Sequence, residues 1–343
     1  MDIAIIGTRR HAARLRAHVL ADPRVARVLI HHPDPASLAR LDDPDPRVQA
    51  SSDWGDVTAQ DAVVIVSPGD SHAGYLERLV ESDRPVYCEK PAATTRKALD
   101  WLDANERSLG PRTTFGFNYR DTAFATAARG VLKQEQHGKP IHLRFVAAHG
   151  LAFREGWSDD WRFRTAKPFD RLIGNLGIHY VDLCLHLFGE IESANASETH
   201  MRGGPSADNA VLTLVHSGGA TAHIMLSYTA PYANAAELHL TDGRLEMRDG
   251  KVAIFAPRDH YGPDGRYATP PERQLAAFAS SGAYYDDAIA RRVTRFLDRV
   301  EQHGDEPAPN FRAALRSCEW VLRLADDAAK YAEPETMRAG AGR

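Results

Sequence analysis

The hydrophobic residues in the first third of the chain fall into short runs that alternate with stretches of helical spacing. Five runs are rich in apolar and β-branched residues: DIAIIG, VARVLIHH, DAVVIVS, RPVYCEK and RTTFGFNY. The stretches between them, such as RRHAARLRAHVLA, have the spacing of amphipathic helices. Continuous apolar strands that alternate with helices indicate a parallel sheet covered on both faces. We therefore predict a doubly wound α/β domain over about residues 1–119.

The pattern changes after residue 120. From residue 191 to residue 255, several segments alternate apolar and polar positions and are separated by Ser-Gly-Gly or Asp-Gly turns, which is typical of an antiparallel sheet. We expect an α+β domain over residues 120–333 that is built on this sheet. The other elements predicted are helices at about 121–136, 172–188, 284–303 and 310–332, a strand at PIHLRFVAAHG, a loop at 256–283 and a tail at 334–343.

Composition narrows the class of protein. The 343 residues, 43% hydrophobic and 26% charged, suit two globular domains. Apolar stretches are too short to span a bilayer, and the first strand begins too early for a signal peptide. Three scattered cysteines argue against a disulfide framework or a zinc site. A net charge of −4 without a Lys/Arg tract argues against nucleic acid. We expect a cytoplasmic protein without a membrane or nucleic-acid partner.

The end of the first predicted strand partly matches a dinucleotide-binding fingerprint. In GTRRHA, Gly7 suits the tight turn and Ala12 suits the small residue at which helix and strand pack. Arg9 replaces the middle glycine of G-x-G-x-x-G/A, which normally lets the backbone approach a pyrophosphate. Arg9 or Arg10 would then contact phosphate by charge. The competing interpretation is an ordinary strand–turn–helix.

The end of the second predicted strand bears on the choice of cofactor. An NAD site usually has an acidic residue there to bind the ribose 2′-hydroxyl. Here His31 and His32 occupy this place and Asp34 comes later. Two imidazoles near arginines suit a 2′-phosphate, so the sequence favours NADP over NAD. A solvated histidine pair is the competing interpretation.

The predicted helix at residues 172–188 carries a polar stripe on an otherwise apolar cylinder. Asn175, His179, Asp182 and His186 recur at spacings of four, three and four. Buried polar groups need partners, so the stripe should face a polar pocket or side chains of another chain. A metal held by His179, Asp182 and His186 is one alternative. No matching ligand cluster occurs elsewhere in the sequence, so we predict no metal.

Several motifs, taken in their order, resemble one family of oxidoreductases. They are GTRRHA, SPGDSH (Ser67–His72), CEKPAATT, GFNYR (Gly116–Arg120), WRF (Trp161–Phe163) and NLGIHYVDLCLHLFG (Asn175–Gly189). Together they resemble the glucose–fructose oxidoreductase / inositol dehydrogenase / rhizopine-catabolism (Gfo/Idh/MocA) family. The resemblance implies a Rossmann domain followed by a domain on a large, mainly antiparallel sheet. It also implies NAD(P), a carbohydrate substrate and a homodimer or homotetramer.

The resemblance also implies roles for individual residues. Lys90 would lie at the nicotinamide end of the cofactor, aimed by the turn at Pro91, and would act with His179 and Asn175 in catalysis. Cofactor contacts are expected at Gly7, Thr8, Arg9, Arg10, His32, Ser67, Pro68, His72, Glu89 and Lys90. Substrate contacts are expected at Tyr119, Arg120, Trp161, Arg162, Asn175 and Asp182, with core packing as the alternative for Trp161.

Two departures from the family pattern affect the expected chemistry. Asn175 stands where the family usually has Asp, and an amide cannot act as a base, so proton transfer falls on His179, oriented by Asn175. This form resembles the branch that oxidises the 3-hydroxyl of nucleotide-linked aminosugar uronic acids. FDRLIG replaces the glycines usual before the motif, so the pocket wall should differ.

The expected reaction is hydride transfer between nicotinamide and a secondary hydroxyl or ketone of a sugar, sugar nucleotide or cyclitol. One alternative is a non-catalytic, dinucleotide-binding regulatory homologue. The other is a ketosugar or imine reductase of secondary metabolism. In addition, the alternation in AVLTLVHS and AHIMLSY predicts a second, uncovered sheet face through which the protein self-associates.

Overall fold

The computed structural model describes residues 1–165, 167–302 and 311–330. Its internal contacts divide the chain into two units, Met1–Thr122 with Tyr285–Glu319, and Ala123–Tyr284 with Trp320–Arg343. The predicted border after residue 119 lies close to the first division, but the prediction did not place a late helical segment with the first unit. The predicted tail at 334–343 lies outside the described residues. No helix in the described part of the chain is long and apolar enough to cross a membrane.

The first unit contains the predicted doubly wound sheet. Six parallel strands within the described residues lie in the order β3-β2-β1-β4-β5-β6, which is the usual Rossmann order. Their bounds are β1 Asp2–Ile6, β2 Arg27–His31, β3 Val48–Ser51, β4 Ala62–Ile65, β5 Val86–Cys88 and β6 Thr113–Phe115. The central strands are apolar on both faces because helices cover both sides. Strand β3 was not predicted from the sequence, because VQAS is short, partly polar and lies at the edge of the sheet.

Helices pack on this sheet and complete its core. The bounds are α1 Arg10–Ala21, α2 Pro35–Leu38, α3 Trp54–Thr58, α4 His72–Arg78, α5 Arg96–Ala104, α6 Glu106–Leu109 and, near the C-terminus, α10 Ser281–Glu301. Ile289, Val293 and Phe296 of α10 are buried in the same cluster as Ile3 and Leu15. Helix α10 therefore closes the core of the first unit, although nearly 170 residues of chain separate it from β6.

The second unit is built on the predicted mainly antiparallel sheet. Its eight strands among the described residues lie in the order β14-β13-β12-β11-β7-β10-β9-β8. Neighbours are antiparallel except β7 and β10, which run parallel. The bounds are β7 Pro140–Ala148, β8 Ile191–Thr199, β9 Asn209–His216, β10 Thr221–Ser227, β11 Ala233–Leu240, β12 Gly243–Arg248, β13 Lys251–Phe255 and β14 Glu272–Ala277. Strand β14 corrects the predicted loop at 256–283; ERQLAA is exposed at the edge and lacks an apolar alternation.

Helices α7 Ala123–Gln134 and α9 Ile178–Phe188 pack on one face of this second sheet. This unit also contains α8 Trp161–Arg164 and part of α11 Phe311–Lys330, whose N-terminal half belongs to the first unit. Phe145 of β7 packs against Phe124 of α7 and Tyr180 of α9, with ring centroids 6.1 and 4.9 Å apart. The sequence predicted one continuous helix over 172–188, but residues Ile173–Gly177 form a π-helical turn before α9. A Cβ on Gly174 would lie 2.2 Å from the Pro168 carbonyl oxygen, so the wide turn follows a close approach of the preceding loop.

Candidate active site

The turn after β1 has the geometry that a nucleotide-binding turn requires. Gly7 has φ +137°, and a Cβ there would lie 2.8 Å from the Val66 carbonyl oxygen, so only glycine fits. Because β1 lies between β2 and β4, its first turn must pass close to both neighbours. Thr8 is partly exposed, Arg9 is exposed at the N-cap position of α1, and Arg10 begins the helix on the surface. Two guanidinium groups thus stand at a helix N-terminus, where anions are favoured.

At the end of β2, two histidines precede an aspartate that caps the next helix. His31 is buried, with Nδ1 3.0 Å from the Ser51 carbonyl oxygen, and burial lowers its pKa. His32 is partly exposed and its Nδ1 accepts from the Asp34 backbone N–H at 3.1 Å. The Asp34 carboxylate caps α2, accepting from Ala36 N at 3.0 Å and from Ser37 N at 3.1 Å. Hydrogen bonds from Ser37 and Ala36 lower the pKa of Asp34.

An aromatic cluster that the sequence analysis missed lies beside His31. Trp54 of α3 meets the His31 ring edge-on at 5.6 Å and stacks on Tyr75 of α4 at 5.9 Å. The Arg78 guanidinium lies 3.7 Å from the centre of the Trp54 ring. The sequence feature that could have indicated this cluster is Asp53-Trp54, which follows β3. It was not recognised because β3 itself was not predicted. This cluster adds a cation and an aromatic surface near the end of β2.

The loop after β4 is tied to the turn after β5 by His72. This imidazole is buried, with Nδ1 2.7 Å from the Pro91 carbonyl oxygen and Nε2 2.9 Å from the Ser67 carbonyl oxygen. Burial lowers the pKa of His72 against the opposing effect of the two carbonyls. Ser67 Oγ lies 2.7 Å from Ser71 Oγ, and Pro68 is exposed at the start of the loop. His72 therefore fixes backbone, while Ser67 and Pro68 line the end of the sheet.

The turn after β5 places a lysine next to a buried carboxylate. Glu89 is 4% exposed; its Oε1 accepts from the Tyr87 hydroxyl at 3.0 Å and its Oε2 from the Lys90 backbone N–H at 3.2 Å. His11 Nε2 of α1 lies 3.2 Å from Oε1. Burial opposes ionisation of Glu89, but the charge of His11, its hydrogen bond and the charge of Lys90 outweigh burial and lower the pKa of Glu89. Lys90 follows, partly exposed, at the carboxyl end of the sheet.

The segment after β6 lies beside the same carboxylate. Asn118 is buried and its Oδ1 accepts from the Tyr87 hydroxyl at 3.2 Å. The partly exposed Tyr119 packs against Tyr285 of α10 at 5.7 Å. Arg120 is 5% exposed, so in this unit its side chain lies largely inside the fold. The structure thus brings His72, Glu89, Lys90 and Tyr119 to the carboxyl ends of β4, β5 and β6, whereas His32 lies at the end of β2.

In the second unit, the predicted polar stripe begins in the π-helical turn. Asn175 is partly exposed, and its Nδ2 donates to the Tyr228 hydroxyl at 3.3 Å. His179 is 6% exposed and Asp182 is fully buried in α9. π-Helical turns occur often at functional sites because they rotate one side chain out of the α-helical register. Here the turn separates Asn175 from the strict α-helical spacing that the sequence suggested.

Tyr228, which the sequence analysis did not select, is the centre of this second site. Its ring stacks on His149 at 5.0 Å and meets Trp157 edge-on at 5.8 Å. Burial raises the pKa of Tyr228, while hydrogen bonds from Asn175 and Arg162 work in the opposite direction. Burial and the charge of Arg162 lower the pKa of His149. In the sequence, Tyr228 directly follows the strand AHIMLS. The periodicity of helices and strands does not select a tyrosine at such a position.

Trp161 and Arg162 belong to the surface around Tyr228. Trp161 is 47% exposed, which excludes the alternative that it packs in the core. The Arg162 guanidinium lies 4.3 Å from the centre of the Trp161 ring and 3.2 Å from both carboxylate oxygens of Asp160. No group of three or more His, Cys, Asp or Glu side chains in the described part of the chain is arranged to hold a metal ion.

These features define a class of protein. A doubly wound sheet with a tight glycine turn before a helix, followed by a unit on a large sheet, is the architecture of two-domain dinucleotide-dependent oxidoreductases. Family models specify it further: the NAD-binding Rossmann fold of the Gfo/Idh/MocA oxidoreductase family matches residues 1–117, and the GFO/IDH/MocA C-terminal domain matches residues 125–246. The chain belongs to this family, as the sequence motifs predicted.

Named relatives act on carbohydrates and cyclitols. The chain is 24% identical to inositol 2-dehydrogenase of Rhizobium meliloti (strain 1021), over 79% of this chain and 78% of that protein. It is 24% identical to glucose-6-phosphate 3-dehydrogenase of Bacillus subtilis (strain 168), over 38% of each chain. With inositol 2-dehydrogenase 2 of Saccharopolyspora erythraea it shares 27% identity over 57% of this chain and 55% of that protein. The matched regions thus span only about two fifths to just over half of the latter two proteins.

Solved structures share the fold over nearly the whole chain. UDP-N-acetylglucosamine 3-dehydrogenase GnnA from Acidithiobacillus ferrooxidans has a TM-score of 0.76 at 19% identity and covers 97% of this chain and 99% of its own. Levoglucosan dehydrogenase in complex with NADH and levoglucosan has a TM-score of 0.76 at 18% identity, with 96% and 97% covered. At these sequence identities, the structural similarity shows a shared fold and nothing further.

Proposed function

We propose that this protein is an NAD(P)-dependent dehydrogenase or reductase that transfers a hydride between nicotinamide and a secondary hydroxyl or ketone of a sugar, sugar nucleotide or cyclitol. The observation that carries the proposal is the turn after β5. A buried Glu89 fixes the backbone of Lys90 there and contacts the first turn of α1, the helix that follows the nucleotide-binding turn. Family membership supports the same chemistry.

The proposed substrate class follows the named relatives and the Asn-x-Gly-x-His motif. Relatives include 3-dehydrogenases of glucose 6-phosphate and of UDP-N-acetylglucosamine, besides inositol dehydrogenases. A ring hydroxyl, as at the 3-position of a nucleotide sugar, is the group that we propose to react. Arg162 and the exposed ring of Trp161 suit binding of a sugar ring and a neighbouring anionic group.

The nicotinamide would supply the hydride chemistry when bound, and the chain would supply position and proton transfer. In the oxidative direction, His179 is proposed to take the hydroxyl proton, and to return it in the reductive direction. Lys90 is proposed to hydrogen-bond the reacting oxygen and to stabilise charge that develops on it. Asn175, held by the Tyr228 hydroxyl, would orient without accepting a proton.

We propose NADP as the preferred cofactor. Asp34, the acidic residue nearest the usual ribose position, already accepts three hydrogen bonds within its own turn, from Ala36 N, Ser37 N and Ser37 Oγ. Arg9, Arg10, His32 and Arg78 supply positive or hydrogen-bonding groups near the ends of β1 and β2. Calorimetric titration should give a lower Kd for NADP than for NAD, and Arg78→Met should weaken NADP more than NAD. A clear preference for NAD that His32→Ala leaves unchanged would contradict this choice.

A screen tests the activity itself. Purified protein is incubated with NAD or NADP and with nucleotide sugars, sugar phosphates, free sugars and cyclitols, and the absorbance of reduced nicotinamide is followed. Turnover of one class, abolished in Lys90→Ala, supports the proposal. Cofactor binding without turnover of any secondary alcohol or ketone would favour the non-catalytic regulatory alternative, which the Arg9 substitution in the fingerprint also suits. Turnover of an imine would favour the reductase of secondary metabolism.

We also propose that the protein is a homodimer or homotetramer. The face of the second sheet that points away from α7 and α9 exposes Val211 and Met225, 49% and 40% exposed. A mixed apolar face of this kind suits contact with a second copy. Sedimentation should show an oligomer at micromolar concentration; a monomer would contradict the proposal. The buried thiols of Cys88 and Cys184, which form no disulfide, fit the cytoplasmic location that we propose.

A further inference from the structure

His11 lies where the helix after the nucleotide-binding turn meets the turn after β5. It is the second residue of α1, and its Nε2 lies 3.2 Å from Glu89 Oε1. Its side chain is 39% exposed, so it exchanges protons with solvent, whereas the side chain of Glu89 is 5% exposed. In the fingerprint, His11 occupies one of the variable positions, so the motif itself gives it no role.

Glu89 has little freedom to move away from His11. Its carboxylate accepts from the Tyr87 hydroxyl and the Lys90 backbone N–H. The Glu89 carboxylate also lies close to Gly116, where an added Cβ would be 2.6 Å from Oε1. A carboxylate that is buried and fixed in this way needs a nearby positive charge to stay ionised.

Two positive groups compete for this carboxylate. The charge of His11 and then that of Lys90 favour ionised Glu89, and Lys90 in turn opposes protonation of His11. The other groups that face the pair are Arg14 on α1, Tyr87 on β5, Tyr285 and Arg292 on α10, and His72 on α4. Burial favours a neutral His11, but the charge of Glu89 and the hydrogen bond to it prevail and raise the pKa of His11.

We propose that His11, as an imidazolium, is the counter-ion of Glu89, and that it thereby spares the Lys90 ammonium from neutralising this carboxylate. His11 is then a positioning residue: it acts on the reacting oxygen only through Glu89 and Lys90. The link to catalysis rests on the proposed function, whereas the pairing of His11 with Glu89 does not.

The consequence is a pH dependence with a defined sign. As pH rises through the pKa of His11, the imidazolium is lost, Lys90 becomes the counter-ion of Glu89, and turnover falls. In the oxidative direction the proposed base, His179, must be neutral to accept the hydroxyl proton. His11 therefore gives an alkaline limb that begins above 6.5, the ordinary pKa of histidine, and well below the ordinary lysine pKa of about 10.4.

Three variants test this assignment. His11→Gln retains a hydrogen-bonding side chain but no charge; it should lower kcat roughly ten- to hundredfold and remove the alkaline limb. His11→Lys keeps a positive charge at every pH of the assay; it should retain kcat and extend activity to higher pH. His18→Gln on the same helix is the matched control and should change neither, because the carboxylate beside His18 is Asp286 and not Glu89.

Two measurements test the pairing of His11 with Glu89, and its effect on Lys90, without a substrate. In the protein's histidine NMR spectrum, the Hε1 signal that His11→Gln removes should titrate above 6.5, and Glu89→Gln should lower that pKa. Peptide mapping after treatment with an amine-reactive reagent should show Lys90 modified several-fold more slowly in His11→Gln than in the wild type, since Lys90 then carries the whole pairing with Glu89.

The outcomes distinguish the pairing of His11 with Glu89 from the effect of that pairing on Lys90. A His11 signal that titrates at or below 6.5, unmoved by Glu89→Gln, overturns the pairing. A normal alkaline limb and unchanged Lys90 labelling in His11→Gln overturn the link to Lys90. If no substrate turns over, the proposed function fails, and the titration and labelling still decide the inference about His11.

Discussion

Each unit buries one glutamate next to a segment that carries a candidate catalytic residue, and the two glutamates differ in their partners. In the first unit, Glu89 faces His11 and supports Lys90. In the second, Glu198 of β8 faces Arg171 at 2.5 Å, and the Arg171 carbonyl accepts from Asn175 N–H at 2.7 Å. An imidazole loses its charge near neutral pH, whereas a guanidinium does not. The charge of the cation is therefore pH-sensitive near neutral pH in one unit and insensitive in the other.

The shifts in pKa show a second difference. The charge of His11, the hydrogen bond to His11, the charge of Lys90 and the hydrogen bond from the Tyr87 hydroxyl together lower the pKa of Glu89 despite its burial. Burial prevails at Glu198 and raises its pKa, although Arg171 acts against it. His11 has the largest part in keeping Glu89 ionised, and Lys90 and Tyr87 add to it, whereas Arg171 does not outweigh burial at Glu198. The first unit holds its site by charge, and the second holds Asn175 mainly by neutral contacts with Tyr228.

The largest expected effects come from the two residues to which we give the chemistry. His179→Ala and Lys90→Ala should each lower kcat by ~10²–10⁴-fold, the usual loss on removing a general acid–base group or a group that stabilises charge at the reacting oxygen. Cofactor Kd should change little in His179→Ala. Steady-state kinetics on the substrate found by screening, with calorimetry for the cofactor, measures both. Near-native turnover in His179→Ala would place the proton path elsewhere; His18→Ala is the matched histidine control.

The next effect tests how closely the first unit is packed around Glu89. Gly116→Ala places a methyl group 2.6 Å from Glu89 Oε1, so the carboxylate must move. We expect a loss of roughly 1–3 kcal/mol in the free energy of unfolding from overpacking and about tenfold or more in kcat from displacement of the Lys90 turn.

Gly74→Ala is the matched control for this substitution. Gly74 lies in α4 of the same unit, and an added Cβ there meets nothing within 4 Å. It should stabilise the protein by about 0.4–1 kcal/mol and leave kcat unchanged. Urea unfolding measures both variants. Equal free energies of unfolding for the two variants would show that the Glu89 carboxylate can move to make room for the added methyl group. Glu89 would then not be fixed by its surroundings, and the contrast between the two units would not hold.

Much of the fold was predictable because both sheets rest on patterns with strong periodicity. Strands such as DIAIIG and NAVLTLVH were found from their apolar positions. Strands β3 and β14 were not, because their pairing comes from a neighbouring strand at a sheet edge and leaves no apolar alternation. The contribution of α10 to the first core also escaped prediction, since periodicity shows that a helix has an apolar face but not which core it enters.

The candidate site was predictable only where a motif marks it. Glu89, Lys90, Asn175 and His179 stand in motifs, and they were selected. His11, Trp54 and Tyr228 were not, because their importance comes from contacts between segments far apart in the chain. A histidine at a variable fingerprint position becomes meaningful only when the structure shows Glu89 beside it.

A smaller effect on activity is expected from Tyr228→Phe. It removes the hydroxyl that accepts from Asn175 Nδ2 while it keeps the ring contacts with His149 and Trp157. A hydrogen bond of this kind contributes about 0.5–1.5 kcal/mol, so kcat should fall several-fold, to about tenfold at most. The hydroxyl also has a hydrogen bond from Arg162; the pH profile should still keep its shape, because an amide does not titrate and a guanidinium keeps its charge. Tyr232→Phe on the surface is the control. A shifted pH profile would mean that Tyr228 itself titrates in the reaction.

The smallest expected effect is the difference in pH dependence of stability between the two pairs. The raised pKa of His11 means that its contribution is complete below 6.5 and is lost as pH rises through the raised value. The lowered pKa of Glu89 means that its contribution is present above 4.5 and is lost on acidification through the lowered value. The pair therefore stabilises most between 4.5 and 6.5. The pKa of Glu198 is raised, so ionisation of this carboxyl costs stability as pH rises from 4.5 through the raised value, and the cost is constant at higher pH.

Urea unfolding at about pH 5.5 and about pH 8 separates these behaviours. Because His11 is 39% exposed, solvent screening limits its share, and the destabilisation by His11→Gln should be below about 1 kcal/mol at the lower pH and near zero at the higher. Arg171→Gln removes a charge that lowers the pKa of the buried Glu198, so it should destabilise the protein at least as much at about pH 8 as at about pH 5.5, the opposite trend to His11→Gln. If His11→Gln costs as much at about pH 8 as at about pH 5.5, His11 acts by packing or as a neutral donor, and the contrast with Arg171 disappears.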